Sequence, residues 1–208
     1  MENIHFDEVC SHEQSATCKP YYGIIHGDNT IIYLKPGNRG TCFGYNNKYL
    51  KLANSIAEKY GYSVIISSNP KESKKDLEDD FRFIDDYAKR RKLGNYIIYF
   101  IGVSDGARSG AKVCFLHQNI KRVLLINGPL FIDFDKTIKG LLSFKGESLY
   151  LVYASEDPSF DFTHFVPEMI EENPVIRLTI LKNQDHLLSK NNFDLFKLVD
   201  ETLLKDND

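Results

Sequence analysis

The chain of 208 residues has few cysteines, no long apolar run and no surplus of one charge sign, and each lack excludes a class of protein. Four cysteines, at 10, 18, 42 and 114, are too scattered for a disulfide framework. A chain of this length does not need one, because folding hides roughly two-thirds of its extended surface. A reducing cytoplasm is the expected location. The apolar runs are strand-sized, and the first twenty residues include Glu2, Asp7, Glu8 and Glu13, so neither a membrane span nor a cleavable secretory signal is expected. Lys plus Arg number 26 against 29 Asp plus Glu, a net charge of -3, and no basic stripe follows a phosphate backbone. Nucleic acid is therefore not an expected partner. No internal repeat or linker divides the sequence, so residues 1–208 read as one domain, with a segment of uncertain structure over 1–20. Glycines near 37–44 form neither G-x-G-x-x-G nor a Lys-Ser/Thr phosphate loop, and Cys10, His12 and Cys18 lack zinc-like spacing. No cofactor and no metal are expected.

What is present is ordinary globular composition, 42% apolar and 26% charged, in a regular alternation. Short β-branched and aromatic runs at 21–26, 30–35, 62–67, 96–101, 122–127, 148–154 and 175–181 read as strands, with a weaker one near 3–9. Several are apolar at nearly every position, as strands covered on both faces are. Between them lie amphipathic stretches: Leu50, Ala53, Ile56 and Tyr60 ahead of Gly61; Leu77, Phe81, Ile84 and Ala88; Ala107, Ala111 and Cys114; Phe162, Val166 and Met169; Phe196, Val199 and Leu203. This predicts an α/β three-layer sandwich, a mostly parallel sheet of about eight strands with helices on both faces. Gly27-Asp28-Asn29 reads as a tight hairpin that pairs the runs on either side of it antiparallel. The stretch 128–146 is the one place for a lid, and it is short.

The sharpest local signal is the apolar run 96–101 entering Gly102-Val103-Ser104-Asp105-Gly106, a G-x-S-x-G pattern followed at once by a helical stripe. A serine on such a strand-to-helix turn brings the residues two before and two after it against other backbone, and glycine at 102 and 106 removes the side chains that would collide. The Asp105 amide then faces the place where an oxyanion forms. A serine hydroxyl needs a base. Of six histidines, His186 follows the last strand across a short loop and opens on the same carboxyl edge of a parallel sheet as Ser104. His117, by contrast, lies about a dozen residues, ~18 Å of helix, beyond the serine. The carboxylate that orients the imidazole is best placed at Asp157, on the turn after 148–154 and before Pro158, with Glu156 and Asp161 as near substitutes and Asp185 a weaker one.

In the order nucleophile, acid, histidine, each at a strand end, the chain resembles the α/β-hydrolases over 21–204. The resemblance implies a serine hydrolase that cleaves a carboxylic ester or thioester of a small soluble compound through an acyl-enzyme, with Ser104 as nucleophile, His186 as base and Asp157 as its orienting acid. It also implies a second oxyanion amide from the loop after the third strand, here 35–40, with Asn38 as donor; the histidine common in such loops is missing. Asp105 sets a negative charge beside the oxyanion, and Arg108 at i+3 is its expected partner. Lys35, Arg39 and Arg108 form a candidate cationic substrate rim, and Phe43, Tyr45, Phe131 and Phe134 a candidate acyl pocket. Two other readings stay open: a non-catalytic accessory protein on a hydrolase-like fold, and a serine peptidase or acyltransferase. The sequence leaves the oligomeric state open.

Overall fold

The computed structural model describes residues 4–11, 20–70 and 77–205. Among them an eight-stranded sheet runs through β1 (Glu8–Ser11), β2 (Tyr21–Ile25), β3 (Thr30–Lys35), β4 (Ser63–Ser67), β5 (Ile97–Val103), β6 (Ile120–Ile126), β7 (Ser148–Ala154) and β8 (Ile176–Leu181) in the spatial order β1-β2-β4-β3-β5-β6-β7-β8. From β4 to β8 every neighbouring pair is parallel, while β2 is antiparallel to both β1 and β4. Helices α1 (Lys48–Tyr60), α2 (Glu78–Arg91), α3 (Asp105–Val113), α4 (Phe134–Ser143), α5 (Val166–Glu172) and α6 (Leu195–Val199) cover both faces, and α6 continues into a wider turn at Asp200–Leu204. No helix among the described residues is long and apolar enough to cross a membrane.

Alternation along the strands sorts the core into two layers. Ile31, Tyr33, Phe100, Leu125 and Leu151 pack under Phe81, Ile84, Ala107, Leu141 and Val166 of α2 to α5. Their neighbours Ile32, Leu34, Ile101, Ile126 and Val152 face Leu50, Ala53 and Ile56 of α1 and Val199 and Leu203 at the C-terminal end. The apolar runs without a period-2 pattern are therefore strands buried on both sides.

Three expectations are corrected. The first strand is Glu8–Ser11, later than the weak run near 3–9, because its register against β2 pairs Ser11 with Tyr21 and Glu8 with Ile24. Residues 1–3 and 12–19 of the N-terminal segment, including His12 and Cys18, lie outside the described residues. The second correction concerns β2 and β3, which point in opposite directions but do not pair: β4 lies between them. Gly27-Asp28-Asn29 spans two strand spacings, about 9.5 Å, and is stitched to the start of β4, with the Gly27 amide donating to Ser63 Oγ at 3.0 Å and the Asp28 amide to Gly61 O at 2.9 Å. Residue 27 is glycine because a Cβ there would lie 2.3 Å from the Tyr62 carbonyl carbon. The third is the supposed lid. Within 128–146 the chain forms α4, whose Gly140 and Leu141 are buried against α3 as an ordinary crossover between β6 and β7.

One buried ion pair ties α2 to the sheet. Lys35, the last residue of β3, reaches Asp80 Oδ2 at 2.7 Å, and the same carboxylate accepts the hydroxyls of Tyr22 and Tyr33 at 2.6 Å each. Lys35 and Asp80 are both almost fully buried. Asp80→Ala leaves the buried ammonium without its counter-charge, only the Ser68 carbonyl at 3.3 Å remaining to it, and takes the acceptor from the Tyr22 hydroxyl; it is expected to destabilise the fold by about 3–5 kcal/mol, read as a shift in urea midpoint. The double replacement Lys35→Met with Asp80→Leu should recover most of that loss, because no charge is then left buried.

Candidate active site

β5 ends at Val103 and α3 begins at Asp105, so one residue makes the whole turn. Ser104 holds φ 54 and ψ -117, a backbone state that costs a non-glycine residue about 1–3 kcal/mol. Close packing around the turn maintains it. A Cβ at 102 would lie 2.6 Å from Ala107 Cα, and one at 106 would lie 2.1 Å from the Lys35 carbonyl oxygen, so the two glycines let the turn press against the end of β3. The Ser104 amide donates to Ile126 O of β6 at 2.8 Å, and its carbonyl accepts from Arg108 at 3.1 Å.

His186 comes to this turn from the far end of the sheet. Its Nε2 lies 3.1 Å from Ser104 Oγ, and its Nδ1 is hydrogen-bonded to Asp157 Oδ2. The Asp157 side chain is fully buried, and its other oxygen accepts the Ser159 amide at 2.6 Å. A carboxylate at Nδ1 fixes the proton there, so Nε2 presents its lone pair and the serine O–H donates to it. The structure thus joins Ser104, His186 and Asp157 in one hydrogen-bonded row. Glu156 instead pairs with Lys190, and Asp185 accepts Ser189 Oγ at 2.6 Å and the Ser189 amide at 2.9 Å, bonds that hold its carboxyl below the usual range. Of the other histidines, His117 lies against the Phe81 ring at 3.9 Å, where burial pushes its pKa down, and His26 stacks on Tyr87.

Two buried asparagines hold the site's loops, and sequence reading missed both. Asn127, at the end of β6 with φ 50, donates to His186 O at 3.0 Å and accepts the Ala154 amide at 2.8 Å, bonding the histidine loop to the ends of β6 and β7. Asn69, just past β4, donates to Pro36 O at 3.0 Å and lies 3.4 Å from Asp105 Oδ2. Its amide donates to Gly40 O at 2.8 Å and its carbonyl accepts the Arg39 amide at 2.7 Å. Asn69 therefore joins the 36–40 loop to the serine turn. The only signal in sequence was their position, a polar residue directly after an apolar strand.

The 36–40 loop lies against Ser104: a Cβ at Gly37 would be 3.0 Å from Ser104 Cβ. The Arg39 and Gly40 amides are bonded within this region, to Asn69 O and Gly37 O. Asn38 lines the cleft beside Ser104. Asp105 is clamped by Arg108, with Nη2 at 2.6 Å and Nε at 3.0 Å, so the carboxylate beside the serine is neutralised as expected. Arg108 also reaches Asp133 at 3.1 Å, and Lys112 bonds the same carboxylate at 2.9 Å and holds its pKa down.

The cleft at Ser104 and His186 measures about 620 Å³ and is walled by the loop from Pro36 to Thr41, Gly44, Tyr45, the first residues of α1, and Leu187. This corrects the expected rim. Lys35 is buried in its pair with Asp80, Arg108 is occupied by two aspartates, and of the three cations only Arg39 lines the opening. Lys48 lines it as well, unanticipated because it reads in sequence as the solvated start of a helix. The expected aromatic pocket is also revised: Tyr45 faces the cleft, Phe43 packs edge-on against Phe6 outside it, and Phe131 and Phe134 join Phe162 and Phe165 in a separate surface cluster. The Cys42 thiol is buried, which raises its pKa and disfavours the thiolate a nucleophile requires.

No family model matches the sequence, and no curated protein matches it either. Solved structures do. Est1E from Butyrivibrio proteoclasticus superposes with a TM-score of 0.69 at 9% identity, covering 93% of this chain and 94% of its own. Dienelactone hydrolase from Anabaena variabilis gives 0.67 at 14% identity, with 94% and 96% covered. Esterase Pf2001 from Pyrococcus furiosus gives 0.67 at 16% identity, with 88% and 85% covered. The chain has the α/β-hydrolase fold, with the Ser104 turn after the fifth strand.

The serine turn is testable without an assay of turnover. Gly106→Ala forces a methyl group into the Lys35 carbonyl and should lower stability by about 3 kcal/mol in chemical denaturation. The control Gly94→Ala, where a Cβ meets open space, should stay within about 0.5 kcal/mol of the parent.

Proposed function

We propose that the protein is a serine hydrolase that cleaves carboxylic esters or thioesters of small soluble compounds through an acyl-enzyme. The observation that carries this reading is the row from Ser104 Oγ to His186 Nε2 at 3.1 Å and on through Nδ1 to the buried Asp157. Two of the structural neighbours are named as a dienelactone hydrolase and an esterase, which agrees with it.

In the proposed reaction Ser104 Oγ attacks the acyl carbonyl while its proton passes to His186 Nε2. Asp157 keeps the imidazole in the tautomer that can accept that proton and stabilises the imidazolium that results. The carbonyl oxygen becomes an oxyanion held by the amides of Asp105 and Asn38. The first amide of α3 has no acceptor within its own helix, and the positive end of the helix dipole adds to the attraction. Collapse of the tetrahedral intermediate breaks the bond to the alcohol or thiol, which leaves with the proton from Nε2. Water then repeats the sequence on the acyl-enzyme, with His186 taking its proton, and releases the acid and free Ser104.

Two features favour small substrates. α4 packs in the body of the fold instead of covering the cleft, and the cleft wall is short loop and the start of α1. Arg108, by neutralising Asp105, removes the main electrostatic objection to an oxyanion at this turn.

Incubation with a fluorophosphonate should add one adduct per chain at Ser104, read by intact mass and peptide mapping. Ser104→Ala should abolish the adduct and reduce hydrolysis of p-nitrophenyl acetate by roughly 10⁴-fold or more, and Asp157→Asn, which disturbs the histidine tautomer, by about 10⁴-fold. Unchanged turnover in Ser104→Ala would remove the mechanism. A preference for emulsified long-chain triglycerides over short esters would remove the proposed substrate class.

A further inference from the structure

The cleft that holds Ser104 is lined by two cations, Arg39 and Lys48, and by no aspartate or glutamate. In a chain with a net charge of -3 that imbalance is local. Elsewhere the well-covered cations carry a carboxylate: Lys35 has Asp80, Arg108 has Asp105 and Asp133, Lys112 has Asp133, and Arg122 has Glu147. Among the described residues neither Arg39 nor Lys48 forms such a pair.

Lys48 lies next to the catalytic row. Its Nζ donates to the carbonyl of Leu187, the residue after His186, at 3.2 Å, and lies 5.2 Å from the Tyr49 ring centroid. An ammonium has three donors, and this carbonyl takes one. Burial lowers the pKa of Lys48, and the charge on Asp185 offsets this only in part, its oxygens being engaged by Ser189. Lys48 is also the first residue of α1, a helix with no acid in its first turn and no side-chain cap at its start, so a cation sits at the positive end of the dipole. The arrangement is unfavourable when the cleft is empty and is relieved by an anion in it.

Arg39 lines the same cleft from the 36–40 loop. It extends from the loop that packs on Ser104, its backbone held at φ 61 and its amide fixed to Asn69 O at 2.7 Å, while the residue itself is exposed. A guanidinium and an ammonium lining one cleft suit a carboxylate, which can accept from both.

We propose that the preferred substrates are esters bearing a second, free carboxylate, which Arg39 and Lys48 bind while the ester carbonyl lies at Ser104; this rests on the hydrolase reading of that serine. The carboxylate belongs either to the acyl part or to the alcohol part of the ester, and two rigid substrate pairs separate these cases. Phenyl 4-carboxybenzoate against phenyl 4-carbamoylbenzoate tests the acyl side, and 4-acetoxybenzoate against 4-acetoxybenzamide tests the alcohol side. In at least one pair the acid should exceed the amide in kcat/KM by roughly tenfold or more, chiefly through KM, with the advantage shrinking as salt is raised. Lys48→Gln and Arg39→Gln should each lower the acid-to-amide ratio severalfold, and Lys48→Arg should retain most of it. Acid and amide within twofold of each other in both pairs, or a ratio unmoved by either variant, overturns the proposal.

Calorimetric titration of the Ser104→Ala protein with terephthalate separates this from failure of the hydrolase reading. Binding that weakens in Ser104→Ala carrying Lys48→Gln or Arg39→Gln supports the cation pair even where no ester is turned over. Absence of binding counts against the pair even where fluorophosphonate labels Ser104.

Discussion

The carbonyl oxygen of Lys35 occupies the space that a side chain at residue 106 would need, and this close approach organises the rest of the site. It requires β3 and β5 to be neighbours in register, with Lys35 opposite Gly102, so that the end of one strand meets the turn leaving the other. Once the two are in contact, the loop after Lys35 has no path except across the serine. Asn69 then bonds that loop at Pro36, Arg39 and Gly40. The φ of 54 at Ser104 is an unfavourable local state sustained by close packing of the flanking glycines. The strain and the placing of the hydroxyl at the cleft have the same origin.

The buried pair of Lys35 with Asp80 fits this picture as a positional device. Lys35 is the hinge point between β3 and the loop over Ser104, and its side chain is fastened to the first turn of α2 through a carboxylate that also accepts two tyrosine hydroxyls. Buried ion pairs contribute little net stability compared with apolar residues of the same volume. Their geometry is demanding, however, and here it fixes where β3 ends. A lysine that reads in sequence as a cation at the mouth of the site is instead part of its foundation.

Ser104 and Asp157 were legible because each follows an apolar run buried on both faces, and His186 because it follows the apolar run of the partly exposed edge strand β8; in a parallel sheet the ends of such runs share an edge. The order of residues along the chain and the edge on which they meet are one fact in such a fold. What escaped reading depends on partners distant in sequence. The insertion of β4 between β2 and β3 cannot be seen from Gly27-Asp28-Asn29, whose composition suits a hairpin equally well; only the contact with Gly61 to Ser63 distinguishes the two. α4 was hidden because Phe131, Phe134 and Gly140 suggest loop and aromatic pocket, whereas Gly140 is the point of closest approach to α3. Charged side chains were the least readable. Arg108 was the exception, its partner Asp105 lying three residues before it on the same helix; for Lys35, Arg39 and Lys48, whether an aspartate lies within reach is decided by tertiary packing.

The two halves of the site are secured differently. Backbone pressed against backbone holds the serine turn, and little can move there without separating β3 from β5. Hydrogen bonds hold the histidine arm: Asn127 to the His186 carbonyl, the Asn183 amide to Ser155 Oγ at 3.0 Å, and the Glu156 amide to Gln184 O at 3.0 Å, on a loop whose side chains are mostly open to solvent. Opening that arm exposes little apolar surface, so its free-energy cost is lower than that of disturbing the serine turn. A loop with this character can open while the serine turn stays in place. Asp157 is the fixed point of this arm: its side chain is fully buried and bonded to the Ser159 amide, so the His186 ring is held at Nδ1 by a carboxylate anchored outside the loop.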